Sequence, residues 1–177
     1  MTQRAVILVE GESDRVALET LAARLRRDLA ARGVEIISMS GVGNLGAHLE
    51  CFAASVSVAV MCDDREAAGV RRAAQRAGVV DLHIEVCVAD LEDELIRALG
   101  PAAVERVIEA EGELGSFRSL QQMPAHRGHP PEHQLHRFVG TKSGRKIKYA
   151  GLLVDALDLA RIPQPLGDVL TFGCGKP

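Results

Sequence analysis

Ala5-Val6-Ile7-Leu8-Val9-Glu10-Gly11-Glu12-Ser13-Asp14 sets a strand, a turn and a helix start side by side. Five apolar residues without a polar interruption fit a strand buried on both faces. Glu10 stands at the strand's carboxyl end and Gly11 turns the chain. Ser13 or Asp14 then opens a helix predicted over residues 15–32, with Val16, Leu18, Leu21, Leu25 and Leu29 at helical spacing and Gly33 as its stop. The arrangement returns at residues 56–61, which run into Cys62-Asp63-Asp64-Arg65-Glu66. In open α/β sheets ligands collect at the carboxyl ends of the strands. Glu10 and Asp63 would share that rim if the two strands are neighbours.

Outward from these two stretches, apolar runs alternate with helical patterns. Further strands are predicted at 34–39 and 82–88, and further helices at 44–54, 66–77, 91–99 and 101–111. Strands alternating with helices of this length imply a parallel sheet with right-handed crossovers. The expected class is α/β: a parallel four-stranded sheet flanked by helices, Rossmann-like, over residues 1–112. Residues 113–177 form a basic, mainly helical C-terminal extension packed on it. Within the extension, residues 121–131 read as loop, helices are predicted at 132–138 and 146–160, Pro163 and Pro165 end the latter, and the tail after Thr171 should fray.

A chain of 177 residues is one domain's worth, able to bury a core without staples. Aromatic residues make up only 3%, with no Trp and one Tyr, so stacking platforms for unpaired bases are scarce. Cys51, Cys62, Cys87 and Cys174 lack the spacing of a zinc ribbon or a disulfide framework, and Cys62 and Cys87 fit free core thiols. Neither a signal peptide nor a run of about 20 apolar residues is present, so no membrane association and a cytoplasmic location are expected. The net charge of −3 conceals an asymmetry. Residues 115–150 carry a net +6 and four of the six histidines, against −9 elsewhere. An acidic half joined to a basic segment suits a metal enzyme that holds a polyanion; alternatively the segment neutralises acids of its own domain.

Glu10, Asp14 and Asp63 are the leading metal ligands. Two carboxylates about 4 Å apart repel by roughly 4 kcal/mol at an effective dielectric of about 20, which a hard cation such as Mg²⁺ or Mn²⁺ relieves. Helix capping would account for Asp14 or Asp63 singly, but not for Glu10 at a strand end. Glu66 and Glu92 are secondary candidates, since acids in a helix's first turn are ordinary dipole partners. Glu12 is expected to face solvent.

These residues resemble the TOPRIM domain, which topoisomerases, bacterial primases, RNA-maturation nucleases and the overcoming-lysogenization-defect (OLD) nucleases share. The OLD type is nearest. Its glutamate followed four residues on by an aspartate is matched by Glu10 and Asp14. Asp63 fits the first place of its paired-aspartate motif, while Arg65 stands at the second, leaving Asp64 or Glu66 to substitute. Glu92 fits its later glutamate, and Lys146 its late lysine. The resemblance implies Mg²⁺- or Mn²⁺-dependent cleavage of nucleic acid, with Glu10 as a ligand or general acid/base and Lys146 balancing charge in the transition state. OLD nucleases usually carry an ATPase domain that this sequence lacks, so an ATPase partner would be a separate protein.

Three further patterns bear on function. Gly41-Val42-Gly43-Asn44-Leu45-Gly46 matches a dinucleotide fingerprint, but follows the second strand rather than the first, so a tight turn shaping the rim is the better reading. His126, His129, His133 and His136 could bind zinc, although Pro130 and Pro131 break the helix that would align them; solvated or phosphate-facing histidines are favoured. Lys142, Arg145 and Lys148, with Arg137, are expected to contact a nucleic-acid backbone. The rival readings are a non-catalytic TOPRIM-like scaffold for nucleic acid or protein, and a Rossmann-type nucleotide-binding module.

Overall fold

Alternation along the first strand, β1 (Ala5–Val9), sends Ala5, Ile7 and Val9 to one face of a sheet and Val6 and Leu8 to the other, all buried. The computed structural model describes residues 5–52, 56–79, 82–140 and 144–174. Its sheet comprises β1, β2 (Val34–Ser38), β3 (Ser57–Asp63) and β4 (His83–Cys87), all parallel, in the order β2-β1-β3-β4. The predicted four-stranded parallel α/β sheet is therefore present, with β1 and β3 as central neighbours. Val9 pairs with Met61, so Glu10 and Asp63 leave the same edge one and two residues later.

Helices cover both faces. α1 (Glu12–Arg24), α5 (Leu91–Leu99) and α6 (Pro101–Ala110) join the core of the Ile7 face, while α3 (Leu45–Phe52) and α4 (Asp64–Arg76) cover the Val6 face. The predicted first helix is shorter than expected. Arg26 adopts φ 54°, a left-handed turn that separates α1 from the single turn α2 (Leu29–Arg32).

The basic segment adds α7 (Leu114–Gln122), α8 (Pro131–Gly140), α9 (Arg145–Ala156) and α10 (Gln164–Cys174). Neither α7 nor α10 was expected from the sequence; α10 takes in residues 172–174 of the predicted frayed tail, whose remainder lies outside the described residues. Pro165 lies in the first turn of α10, where its missing N–H costs nothing, rather than ending a helix. Phe117, Phe138, Tyr149, Leu153 and Val169 share one hydrophobic core with Ile7, Leu18 and Leu95. Gly173 lets α10 lie directly on the sheet, because a Cβ there would sit 2.9 Å from Ile7 Cδ1 and 3.2 Å from Val34 Cγ1. None of the described helices is long and apolar enough to cross a membrane.

Candidate metal centre

Burial of β1 and β3 forces the first polar side chains after them to the open edge of the sheet. Gly11, in an extended conformation, starts α1 immediately after Glu10. Asp14, in the first turn, accepts a hydrogen bond from Gly11 N–H at 2.8 Å and so is fixed against the same turn. The loop after β2 braces this arrangement: Met39 N–H donates to Val9 O at 2.8 Å, and Gly41 N–H donates to Glu10 O at 3.0 Å. Gly41 holds φ 107°, which an L side chain rarely adopts. The glycine pattern thus shapes the rim, as expected, and its N–H is spent on Glu10.

Asp63 occupies the N-cap position of α4 without making a capping hydrogen bond, so helix capping does not account for it. It lines a narrow crevice with Glu10, Asp14, Cys62 and Cys87. Burial, with Glu10, Asp90 and Asp14 nearby, pushes its pKa up to about 6. Glu66, one turn into α4, is raised to about 7 by burial and by a hydrogen bond shared with Glu10. Burial also raises Asp14, against the lowering effects of the Gly11 N–H and Lys146. Glu10, Asp14, Asp63 and Glu66 thus come from two strand ends into electrostatic range of one another, although among the described residues no three of them bring ligand atoms within 4.8 Å of one another.

A second acidic wall comes from the start of α5. Asp90 caps that helix, its side chain accepting from Asp93 N–H at 2.9 Å, and also meets His136 Nε2 of α8 at 2.6 Å. Burial opposes ionisation of Asp90, but His136 and the Asp93 N–H outweigh it and hold the pKa below its ordinary value. His136 is raised in turn, chiefly by that hydrogen bond. Glu92 is 3% exposed, and burial lifts its pKa to about 7. Its Oε2 lies 3.1 Å from Lys146 Nζ, yet neither of its carboxylate oxygens finds a geometrically sound hydrogen bond among the described residues. Lys146 is half exposed; burial pulls its pKa down, but Glu92, Asp14 and Asp90 prevail and raise it. Ligand atoms of Asp90, Glu92 and His136 all fall within 4.8 Å of one another.

The donor set suits a hard divalent cation. Carboxylate oxygens predominate; among the described residues Glu66 Oε2 and Glu92 Oε1 are buried without hydrogen-bond partners, and Glu92 Oε2 has the Lys146 ammonium 3.1 Å away. Such atoms normally find a partner, and a cation would supply one. The expected ligand residues fall into two groups, Glu10, Asp14, Asp63 and Glu66 at the ends of β1 and β3, and Glu92 beside Asp90 and His136. Asp90 and His136 were not anticipated as part of the site. Asp90 had a signal, a cap position two residues before Glu92, whereas His136 reaches the site only through tertiary packing.

The predicted nucleic-acid contacts fare differently. Lys142 lies outside the described residues. Arg145 is 6% exposed, hydrogen-bonds Phe138 O at 3.1 Å, pairs with Glu113 and stacks 4.0 Å from the centre of the Phe138 ring. Its place is therefore inside the protein rather than against a backbone. Lys148 is on the surface but pairs with Glu111 at 2.8 Å and Glu113 at 3.4 Å. Arg137 is exposed. The rings of His129 and His133 meet at a tilt of 38° with centres 4.8 Å apart, while His136 turns to Asp90, so the described histidines form no shared zinc site.

Two open grooves flank the rim. One is lined by Glu10, Asp14, Ser40, Gly41, Gly144 and Lys146, the other by Asp63, Arg65, Asp90, Pro130, His133 and His136. Residues 2–64 match the family model "Overcoming lysogenization defect protein-like, TOPRIM domain". The fold as a whole is similar to the C-terminal region of the Burkholderia pseudomallei OLD protein, with a TM-score of 0.70 at 20% identity over 98% of both chains. It is also similar to the C-terminal region of the Xanthomonas campestris pv. campestris OLD protein. An iodine-phased structure of that region gives 0.65 at 21% identity, covering 97% of this chain and 94% of that one. A platinum-phased structure gives 0.69 at 19% identity, covering 97% and 92%. No curated protein matches the sequence significantly. The chain has the TOPRIM fold of OLD C-terminal regions.

Proposed function

We propose that this chain, with its OLD-type TOPRIM fold, is a metal-dependent nuclease acting on nucleic acid. The observation that carries the reading is the meeting of Glu10, Asp14, Asp63 and Glu66 at the ends of β1 and β3, where Asp63 and Glu66 hold raised pKa values and a buried Glu66 oxygen has no hydrogen-bond partner. These residues, with Glu92, would hold Mg²⁺ or Mn²⁺. Bound there, the cation supplies an acidified water and neutralises charge on the scissile phosphate.

The protein's own groups supply the rest. Gly41 and Gly11 fix Glu10 and Asp14 through backbone hydrogen bonds, so the ligands are set before substrate arrives. Lys146, held over the rim by Glu92, is placed to offset charge developing on the phosphate oxygens. Glu66, raised to about 7 by burial and by a hydrogen bond with Glu10, can keep a proton near neutral pH and serve in proton transfer.

A scaffold that binds without cutting is the second reading, favoured by Arg65 in an acidic motif position and by the tethering of Lys146 to Glu92. Cleavage of plasmid, single-stranded DNA and RNA with Mg²⁺ or Mn²⁺ separates the two. Glu10→Gln and Asp63→Asn are each expected to reduce cleavage on the order of 10³-fold, the loss of several kcal/mol of charge stabilisation. Both should keep or slightly raise the melting temperature, because each removes a charge from a crowded cluster. Metal-dependent cutting that survives both substitutions defeats the nuclease reading.

A further inference from the structure

Arg65 lies on the first turn of α4, two residues beyond Asp63, and lines the groove that runs from the rim toward α8. It is exposed, and no described residue hydrogen-bonds or pairs with its guanidinium. That isolation occurs in a groove with several acids on its walls. Those acids are largely satisfied: Asp90 by His136 at 2.6 Å and by the Asp93 N–H, Asp93 by Arg97 at 2.9 Å. Asp63 lines both this groove and the carboxylate crevice. Glu132 and His133 also line the groove. A cation kept unpaired beside a cluster of acids lacks an internal purpose, and its planar donor fork fits a phosphate.

We infer that Arg65 is a phosphate-binding residue that holds the polynucleotide backbone one or more phosphates from the cleavage point, on the α8 side of the rim. The inference rests on the nuclease reading and adds the direction of the strand. Backbone leaving the Asp63 end of the crevice enters the Arg65–His133 groove, while the opposite groove, with Lys146, receives the other side. The contact also explains why an arginine is tolerated next to Asp63. It lines the groove together with Asp63, which also lines the crevice with Glu10 and Asp14.

Fluorescence anisotropy of labelled single-stranded DNA and RNA oligonucleotides, with Ca²⁺ replacing Mg²⁺ to prevent cutting, tests this across a salt series. Each phosphate contact on a single strand contributes about 0.7 to the slope of log K against log salt. Arg65→Ala should flatten the slope by about that amount and weaken binding about tenfold at moderate salt, while the Mn²⁺ binding isotherm stays unchanged. Arg65→Lys should retain the slope and lose only part of the affinity, because charge persists without the fork. Arg76→Ala, at the far end of α4, serves as the control and should match wild type. An unaltered slope in Arg65→Ala, with wild type binding normally, overturns the assignment and leaves the nuclease reading standing. Failure of wild type to bind either oligonucleotide overturns both.

Discussion

The carboxylate rim and the basic C-terminal segment look like complementary halves of one charge pattern, yet the protein treats them in opposite ways. At the rim, Glu10, Asp14, Asp63 and Glu66 are held together although burial and neighbouring acids make Asp14, Asp63 and Glu66 harder to ionise. In the basic segment, charges are paired off: Arg118 with Glu105, Arg145 with Glu113, Lys148 with Glu111 and Glu113, and His136 with Asp90. Much of the +6 of that segment therefore neutralises acids of its own domain. Excess charge on a stretch of sequence does not say where the charge goes. Unrelieved like charge in a folded site does point outward, because folding alone would have removed it.

The comparison breaks most visibly if Arg145 belongs to the surface after all. Arg145→Ala removes a buried guanidinium, leaves Glu113 without its main partner and strips the cover from Phe138. Glu113 is partly exposed, so the cost falls below that of a fully buried pair, at about 2–3 kcal/mol, or roughly 4–12 °C in melting temperature. Cleavage per folded molecule should be unchanged at low temperature. Weaker nucleic-acid binding without lost stability would return Arg145 to the surface and undo the contrast between the two regions.

A pH series on metal-free protein sharpens the rim's side of the comparison. The folded-state pKa values of Asp63, Glu66 and Glu92 are raised to about 6, 7 and 7, above the roughly 4 of an unfolded chain. Between those values the native state binds more protons than the unfolded state, so stability falls as pH rises from about 4 to about 7. His136 acts in the same direction, since its raised pKa favours the native state at low pH and that advantage fades as it deprotonates. Asp90 and Glu113, with lowered pKa values, act oppositely and withdraw support only in stronger acid. The metal-free protein should therefore melt a few degrees higher near pH 5 than near pH 8. Mn²⁺ should close that gap, stabilising most at pH 8, where protons no longer compete for the carboxylates. A flat pH profile with no response to Mn²⁺ would mean that the rim is not under charge strain.

How much of this could be read from the sequence depends on whether the signal is local. Continuous apolar runs located all four strands within a residue or two, and with them the convergence of Glu10 and Asp63, because a buried parallel strand must end in its first polar residue. The break after Arg24 was not readable, since a left-handed Arg26 leaves no mark in hydrophobic spacing. Helix α10 was hidden by its own composition. Pro165 at its start and Gly167 and Gly173 within it read as breakers, yet Gly173 is needed so that the helix can approach Ile7 and Val34. The Asp90–His136 pair spans 46 residues and exists only through the packing of α8 against α5. Likewise, nothing in the run of basic residues separated Arg145, which turns inward, from Lys146, which reaches the rim.

Lys148 provides the finest test of the contrast, because it is an exposed member of the basic segment that is paired with two acids. Its ammonium meets Glu111 at 2.8 Å and Glu113 at 3.4 Å, but both contacts sit where water and salt screen them. Lys148→Ala should leave the melting temperature unchanged within error, as exposed ion pairs commonly do. If the segment's charges serve its own domain, the substitution should also leave the salt dependence of oligonucleotide binding unaltered, in contrast to the loss expected for Arg65→Ala. A slope that flattens by about 0.7 would instead assign Lys148 a phosphate of its own. The basic segment would then divide between an inward arginine and an outward lysine three residues apart on one helix, and its pairing with Glu111 and Glu113 would describe the free protein only.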